Sequence, residues 1–465
     1  MPRRTPPSSP TSRRRVSVLE RLHPDAAGVD CGSAAHFVAV PPDRDPDCVR
    51  SFRTFTADLH ALADWLTQCR IQSVAMEATG VYWIPLYDIL EARGFRVLLV
   101  NARHVKNVPG RKSDVSDCEW LRDLHIVGLV RGSFRPPAGI VALRAYLRHR
   151  ESLIQHASSC IQRMQKALLQ MNVQLTLVVS DVSGETGLRI VRDIVAGQTD
   201  PRVLARHRNH RCRATEAEIA AALTGHYQRE HVFALGQHLE AYEFVQRQLA
   251  TCDQSIEAQL HHLVAAQGAT TSPPPAARPR QAPYRNAPRF EVRTPLFQLA
   301  GADLSQLDGI GPHNALRLIA EIGTDMRRWP TEKHFTSWLT LAPQNKVSGG
   351  RRLSSRTQPS ANRAAAVLRM AVFTLGRSQT ALGAFYRRLA VRIGKAKAIT
   401  ATARKLAILV YRTLSGHFTY ADPGAAAYDA HHRARVIRTL RRRAADLGLE
   451  LVDRTSGAVI EDAVS

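Results

Sequence analysis

The 465-residue sequence predicts an α/β domain followed by an all-α second half. Two observations carry this. Over residues 25–135, short apolar runs of strand length alternate with stretches of helical spacing, the pattern of an open α/β sheet. Beyond Ile140 the strand-length runs disappear, and apolar residues recur every three, four and seven positions, as on packed helices. A third observation concerns the partner. A formal charge of +24 and a pI near 10.6 point to a polyanion, DNA or RNA.

Residues 1–24 open with MPRRTPPSSPTSRRR, which has no apolar core. They read as a disordered basic arm rather than a secretory signal. The run AAGVDC at 26–31 is the first strand and carries Asp30; 36–40 and 51–55 are the second and third. Residues 57–69 place Leu59, Leu62, Ala63 and Leu66 on one side of a helix. A buried-type strand at 71–76 ends in Glu77, a helix over 81–93 follows, and 95–100 is the fifth strand. A basic loop with Arg103, His104, Lys106, Arg111 and Lys112 then precedes Asp114 and Asp117. Their spacing of three sets both aspartates on one face of a helix's first turn, the end where acids suit the dipole. The expected order is βββαβαβα, with three leading antiparallel strands.

This order brings Asp30, Glu77, Asp114 and Asp117 to the carboxyl edge of the sheet, where open α/β sheets build sites. Four carboxylates meeting there repel one another unless divalent cations lie between them, and hard oxygen ligands suit Mg²⁺. Two such ions about 4 Å apart would activate a nucleophile and stabilise a leaving oxygen at phosphorus. The competing reading is structural: strand-end caps, plus a helix N-cap with a first-turn acid.

Residues 136–268 carry a heptad through Ile140, Leu147, Ile154, Ile161, Leu168 and Leu175, with Leu143, Ala157, Met164 and Met171 three positions on. That is a coiled-coil seam, with Arg150 as its exception. A second, looser seam runs through Leu235, Tyr242, Leu249, Ile256 and Leu263. Spacing does not choose between an intramolecular antiparallel pair and an intermolecular coil. Between the seams, RHRNHRCR at 206–213 is a basic cluster, either a phosphate contact or a solvated loop. The proline- and arginine-rich stretch 269–295 is a linker.

Residues 296–420 form a helical domain. Gly309-Ile310-Gly311, flanked by Leu304, Leu307, Leu316, Ile319 and Ile322, matches a helix–hairpin–helix pattern. Its glycines would let backbone N–H groups approach a phosphate; an ordinary interhelical turn is the alternative. Further on, Ser348 precedes Gly349 and Gly350 and is followed by Arg351 and Arg352. A serine hydroxyl needs deprotonation and charge neutralisation to attack phosphorus. Adjacent guanidiniums provide the second, and a plain basic loop is the alternative. Residues 421–465 are a basic tail, densest over 431–443.

The seven cysteines are scattered with no CxxC pair, which argues against disulfides and zinc and for a reducing cytoplasm. No apolar stretch reaches the roughly 18–20 residues of a spanning helix. No GxxxxGK[ST] loop is present, so no nucleotide cofactor is expected.

The segments GVDCGSAAHFVAV and MEATGVYWIPLYDILEARGFRVLLVNARHVKNVPGRKSDVSDCEWLRDL resemble the amino-terminal domain of the insertion-sequence-110 family of transposases. The likeness covers residues 26–135. It implies a ribonuclease-H-like, RuvC-type fold in which Asp30, Glu77, Asp114 and Asp117 form a DEDD set holding two Mg²⁺ ions. It also implies that Ser348 is a nucleophile forming a transient phosphoserine link to DNA, with Ser354 and Ser355 as fallback positions. The block that usually follows is here Thr357-Gln358-Pro359-Ser360-Ala361-Asn362-Arg363, a departure from the family pattern. On the same likeness the partners are element and target DNA, a structured bridge RNA, and further copies of the chain as a homodimer or tetramer in the bacterial cytoplasm. Nucleic-acid contacts are expected at Arg111, Lys112, Gly309, Gly311, Arg351 and Arg352. The rival readings are a metal-dependent nuclease or junction resolvase without a serine nucleophile, and a non-catalytic nucleic-acid-binding protein.

Overall fold

A computed structural model describes residues 21–101, 114–268, 273–277, 286–416, 418–454 and 457. The chain divides into two compact units, Met1–Arg135 and Pro136–Ser465.

The first unit is a five-stranded mixed sheet in the order β3-β2-β1-β4-β5. Its strands are β1 (Ala26–Cys31), β2 (Ala35–Ala39), β3 (Val49–Arg53), β4 (Ser73–Glu77) and β5 (Arg96–Val100). β1 runs antiparallel to β2 and parallel to β4, which is parallel to β5. Two expected strands shift. The third ends at Arg53 because Phe55 already caps helix α1 (Thr56–Gln68). The fourth starts at Ser73 because Ile71 closes that same helix, its N–H bonding to Leu66 O at 3.0 Å. Glu77 consequently lies inside its strand.

Strand periodicity divides the buried side chains between two faces. Ala27, Val29, Cys31, Val74 and Met76 pack with Leu59, Leu62, Leu66, Leu86 and Leu90. Those leucines come from α1 and from α2 (Trp83–Ala92). Ala75 and Val100 face the other way, against Leu121 of α3 (Asp114–Ile126). Gly28, Asp30 and Glu77 share that second face by alternation.

The second unit is built on two long helices, α4 (Ala138–Gln170) and α9 (Arg229–Ala266). Between them lie α5 (Leu175–Val178), α6 (Glu185–Val195), α7 (Pro201–Ala205) and α8 (Glu216–Leu223). α4 and α9 pack antiparallel within the chain: Gln259 donates to Gly139 O (3.1 Å), and Cys252 lies 3.6 Å from Tyr146 O. The first heptad stops earlier than its spacing suggests. Asn172 takes a left-handed φ of 55°, Val173 N–H reaches back to Leu168 O at 2.9 Å, and Leu175 begins a separate short helix. Asn is one of the few residues that adopts this helix-ending conformation readily.

Arg150, the polar exception on the seam, is only 4 % exposed. Its Nε and Nη2 donate to the two Asp253 oxygens at 2.5 and 3.4 Å, and its Nη1 donates to Asn286 O at 2.8 Å. Arg289 N–H bonds Asp253 Oδ2 at 3.1 Å. Residues 286–289, expected to belong to a linker, thus help close over a buried ion pair.

The remaining elements are α10 (Arg293–Ala300), α11 (Pro312–Ile322), α12 (Glu332–Trp338), β6 (Lys346–Ser348), β7 (Arg351–Ser354), α13 (Arg363–Leu375), α14 (Ala381–Ile393), α15 (Lys395–Leu414) and α16 (Gly424–Asp446). Trp329, Phe335, Trp338 and Tyr411 form an aromatic cluster in which the Tyr411 hydroxyl donates to Trp329 O at 2.8 Å. No helix of the described residues is long and apolar enough to cross a membrane.

Removing one partner of a buried, hydrogen-bonded ion pair strands the other charge, at a cost of about 3–5 kcal/mol. Asp253→Ala should therefore lose that much in denaturant unfolding, and Arg150→Met with Asp253→Leu should recover most of it. A loss below about 1 kcal/mol for Asp253→Ala would show that the pair does not hold the two helices together.

Candidate active site

The site starts from a glycine. Gly28 is buried in β1, and a Cβ placed on it would lie 2.2 Å from Cys118 O and 2.4 Å from Arg122 N. The backbone of α3 therefore rests directly on β1, an approach that only a residue without a side chain allows. Three side chains hold the helix there. Cys118 is fully buried, and its thiol is pushed up to about 12, chiefly by burial, with the charges of Glu119 and Asp30 adding. Arg122 is buried and donates to Val40 O at 3.0 Å and to Asp123 at 2.9 Å. His125, also fully buried, lies 3.0 Å from the Ser73 hydroxyl, and burial holds it down to about 4, a neutral imidazole.

These contacts orient α3. His125 meets Ser73 at the start of β4, so α3 runs opposite to β1 and β4 and its N-terminal turn lies toward their carboxyl ends. Asp114 occupies the first position of α3 and Asp117 the fourth, one turn before the buried Leu121. On the sheet, Val29 is opposite Met76, and continuing that parallel register sets Asp30 beside Glu77. Neighbouring strands lie about 4.8 Å apart. Both carboxylates are half-buried, and both push the Cys31 thiol up, after burial itself.

The EATG segment has its own local logic. The Thr79 hydroxyl donates to Glu77 Oε1 at 3.0 Å, Gly80 turns the chain at a φ of 55°, and its carbonyl accepts from Trp83 Nε1 at 3.2 Å. Threonine thus orients the glutamate, and glycine lets the chain turn into α2.

Asp30, Glu77 and Asp117 have the hard-oxygen chemistry that a divalent cation takes. Among the described residues, however, no three His, Cys, Asp or Glu side chains are gathered closely enough to hold an ion. Arg111, Lys112 and the Asp114 side chain lie outside the described residues.

In the second unit, Ser348 ends β6 and pairs in register with Arg351 of β7. The two strands are joined by Gly349 and Gly350 alone, with φ of 53° and 74°. Two positive φ values in a two-residue connection define the tight hairpin turn that matches strand twist. The glycines are therefore demanded by the turn. Ser348, Arg351 and Arg352 are all exposed. The divergent block after them supports the hairpin. Gln344 N–H bonds Arg356 O at 2.9 Å, Gln344 also bonds the Gln358 side chain at 3.2 Å, and Asn362 caps α13 through Ala365 N at 3.0 Å.

The Gly309-Ile310-Gly311 turn is preceded by a three-residue 3₁₀ turn, Leu304–Gln306, where a helix was expected, because α10 already ends at Ala300. Gly309 has a φ of 78°, and a Cβ on it would sit 2.9 Å from Ala371 O of α13. Gly311 caps α11, which begins with Pro312. Both glycines line a cavity of about 830 Å³ with Arg144, Arg148, Arg317 and Arg363. In the 206–213 cluster, Arg208 is occupied by Ala214 O and Cys212 O at 2.7 and 2.9 Å, while Arg206, Arg211 and Arg213 stay exposed.

Residues 27–173 match a transposase family of the DEDD, IS110 type, and residues 301–387 match the transposase IS116/IS110/IS902 family. The chain belongs to the IS110 family of transposases. An IS110-family chain acts on DNA, so its enzyme class is that of a DNA transposase. The first match spans Asp30, Glu77, Asp114 and Asp117, and the second spans the Gly309 turn and Ser348. No curated protein matches this IS110-family chain.

Gly28, Arg122 and His125 were not singled out as site-building residues from sequence, and Thr79 stood out only as part of the EATG segment. The one available signal was a glycine inside an otherwise apolar strand. Gly28→Ala forces a methyl against a helix backbone, and overpacking of this kind costs about 1–3 kcal/mol or more. The variant should lose at least about 2 kcal/mol in thermal or denaturant unfolding. A change under about 0.5 kcal/mol would mean that α3 does not rest on β1 this closely.

Proposed function

We propose that this transposase cuts and exchanges DNA strands through a covalent phosphoserine intermediate on Ser348. Divalent cations, two Mg²⁺ ions, would be held by Asp30, Glu77, Asp114 and Asp117. The single observation that carries the metal half of this reading is the docking of α3 on Gly28. It turns the Asp117 end of that helix toward the sheet edge where Asp30 and Glu77 lie side by side. When bound, the metal supplies charge neutralisation at the scissile phosphate and a lowered barrier to forming the attacking oxyanion.

The chain's own residues do the rest. Thr79 holds the Glu77 carboxylate in one orientation. In the second unit, the hairpin turn presents the Ser348 hydroxyl in solvent, beside the exposed guanidiniums of Arg351 and Arg352. As the Ser348 Oγ–P bond forms, a P–O bond to deoxyribose breaks, and the released oxygen takes up a proton while the serine loses one. The phosphodiester energy is kept in the phosphoserine link, so religation to a new strand needs no nucleotide hydrolysis. A structured bridge RNA would select the DNA by base pairing, and the protein would work as a homodimer or tetramer; the net charge of +24 suits such a nucleic-acid load. Gly309 and Gly311 would contribute backbone contacts to phosphate. The rival reading is a nuclease that uses the carboxylates alone, with Ser348 as an ordinary hairpin residue; the demand of the turn for both glycines favours it as far as the SGG motif goes.

Covalent trapping separates the two. Protein co-expressed with its element's flanking RNA is mixed with labelled element-junction DNA and Mg²⁺, then run on a denaturing gel. The proposal expects label migrating with protein, lost in Ser348→Ala and in Asp117→Asn. Cleaved DNA with no adduct, unaffected by Ser348→Ala, would replace it with the metal-only nuclease.

A further inference from the structure

Several arginines of the second unit meet carboxylates. Arg144 and Arg148 meet Glu321; Arg317 and Arg363 meet Glu151; Arg293 meets Asp303; and Arg412 meets Glu332. The region where α16 packs on α14 has cations without such partners. Arg388 and Arg392 of α14, Lys405 of α15 and Arg435 of α16 form no ion pair among the described residues. Yet they are near enough to act on one another. Burial, with the charges of Arg388 and Arg435, holds Lys405 below the ordinary lysine value. Burial, with Arg388, Arg435 and Arg392, likewise lowers His432, and Asp429 is the carboxylate beside it.

The geometry of the cluster is fixed by aromatic rings. The Lys405 ammonium sits 4.2 Å from the Phe385 ring centre, and the Arg388 guanidinium lies 5.9 Å from Phe385 and 5.4 Å from Tyr428. Arg388 also donates to the Tyr428 hydroxyl, while its Nε is buried with no hydrogen-bond partner. Cation–π contacts of this kind offset part of the repulsion. They do not neutralise it. α16 itself carries six arginines against two aspartates over 23 residues and buries none of them. A helix owes most of its stability in a protein to a packed face, so this one is short of a partner, and its charge says that the partner is anionic.

We propose that the cationic face shared by α14, α15 and α16 binds the phosphodiester backbone of nucleic acid, with Arg388, Arg392, Lys405 and Arg435 as its contacts. These residues lie beyond both family-matched stretches. The inference rests on the chain's handling of nucleic acid and on neither the serine nor the metal. Repeated, unpaired, ring-supported cations suit a polymer of phosphates, which is bound by counterion release with little regard to sequence.

The test is the salt dependence of binding by the full chain, with a chelator present so that no cleavage occurs. The probes are a fluorescent duplex DNA and a fluorescent RNA hairpin. Each phosphate contact contributes about 0.9 to the slope of log affinity against log salt on duplex DNA. Arg392→Gln, Lys405→Gln and Arg435→Gln together should lower that slope by about 2–3 and weaken binding at least about 10-fold near 0.1 M salt. Loss on DNA only, on RNA only or on both supports this face as the contact and names its source of phosphate. A control with Arg202→Gln, Arg229→Gln and Arg247→Gln removes equal charge from exposed positions elsewhere in the second unit. If the triple variant has a lowered thermal midpoint, Lys405→Gln alone replaces it and should lower the slope by about 1. An unchanged slope in a folded variant, or an equal loss in the control, overturns the proposal. Neither result bears on adduct formation by Ser348, which the trapping gel reads separately.

Discussion

The first unit depends on one contact between backbones: α3 lying on Gly28 of β1. A sheet strand and a helix normally keep a layer of side chains between them. Here the glycine removes that layer, and the helix settles so that Cys118, Leu121 and His125 bury against the sheet. The cost falls on polar groups. Arg122 is buried and must find Val40 O and Asp123, and His125 must stay neutral against Ser73. An unmet hydrogen bond at either would cost about 1–3 kcal/mol. Once α3 is fixed this way, the direction of its N-terminal turn follows, and with it the position of Asp114 and Asp117 on the chain relative to the carboxyl ends of β1 and β4.

The second unit shows the same economy with a different device. Its long helices meet along an apolar seam broken by Arg150, and the break is tolerable because Asp253 and the Asn286 carbonyl complete the guanidinium's bonds. Buried pairs of this sort are weak evidence for net stability but strong constraints on register, since any slide of one helix against the other separates the charges. The Ser348 hairpin is the opposite case. It is exposed, short and held by turn geometry and by the Gln344–Arg356 pairing at its base. The rigid part of the unit is packed helix, and the Ser348 hairpin is a ribbon on its surface.

Much of this was legible in the sequence because the relevant signals were local. Strand-length apolar runs and helical spacing placed all five strands of the first sheet and put Asp30 and Glu77 on β1 and β4. Where the reading slipped, a competing local bond had won. Ile71 and Phe55 close the ends of a helix instead of extending strands, and Asn172 ends a heptad that apolar spacing alone would continue. The contacts that build the site were not legible, because they are long-range. Nothing near Gly28 announces that residues 118–122 will lie on it, and nothing near Arg150 announces Asp253. That Gly349 and Gly350 close a two-residue turn was not legible either, because positive φ cannot be distinguished from flexibility in sequence alone. The same limit applies to Gly309, whose closeness to Ala371 is a packing fact 62 positions away in the chain.

The central claim is that the sheet's carboxyl edge in the first unit is a divalent-cation site assembled by the α3–β1 contact. Anomalous diffraction from crystals of the full chain grown with Mn²⁺ tests it most directly. The account predicts metal density touching Asp30 and Glu77, completed by the aspartates of the first turn of α3. Well-ordered carboxylates at that edge with no metal density between them, in crystals saturated with Mn²⁺, would contradict it.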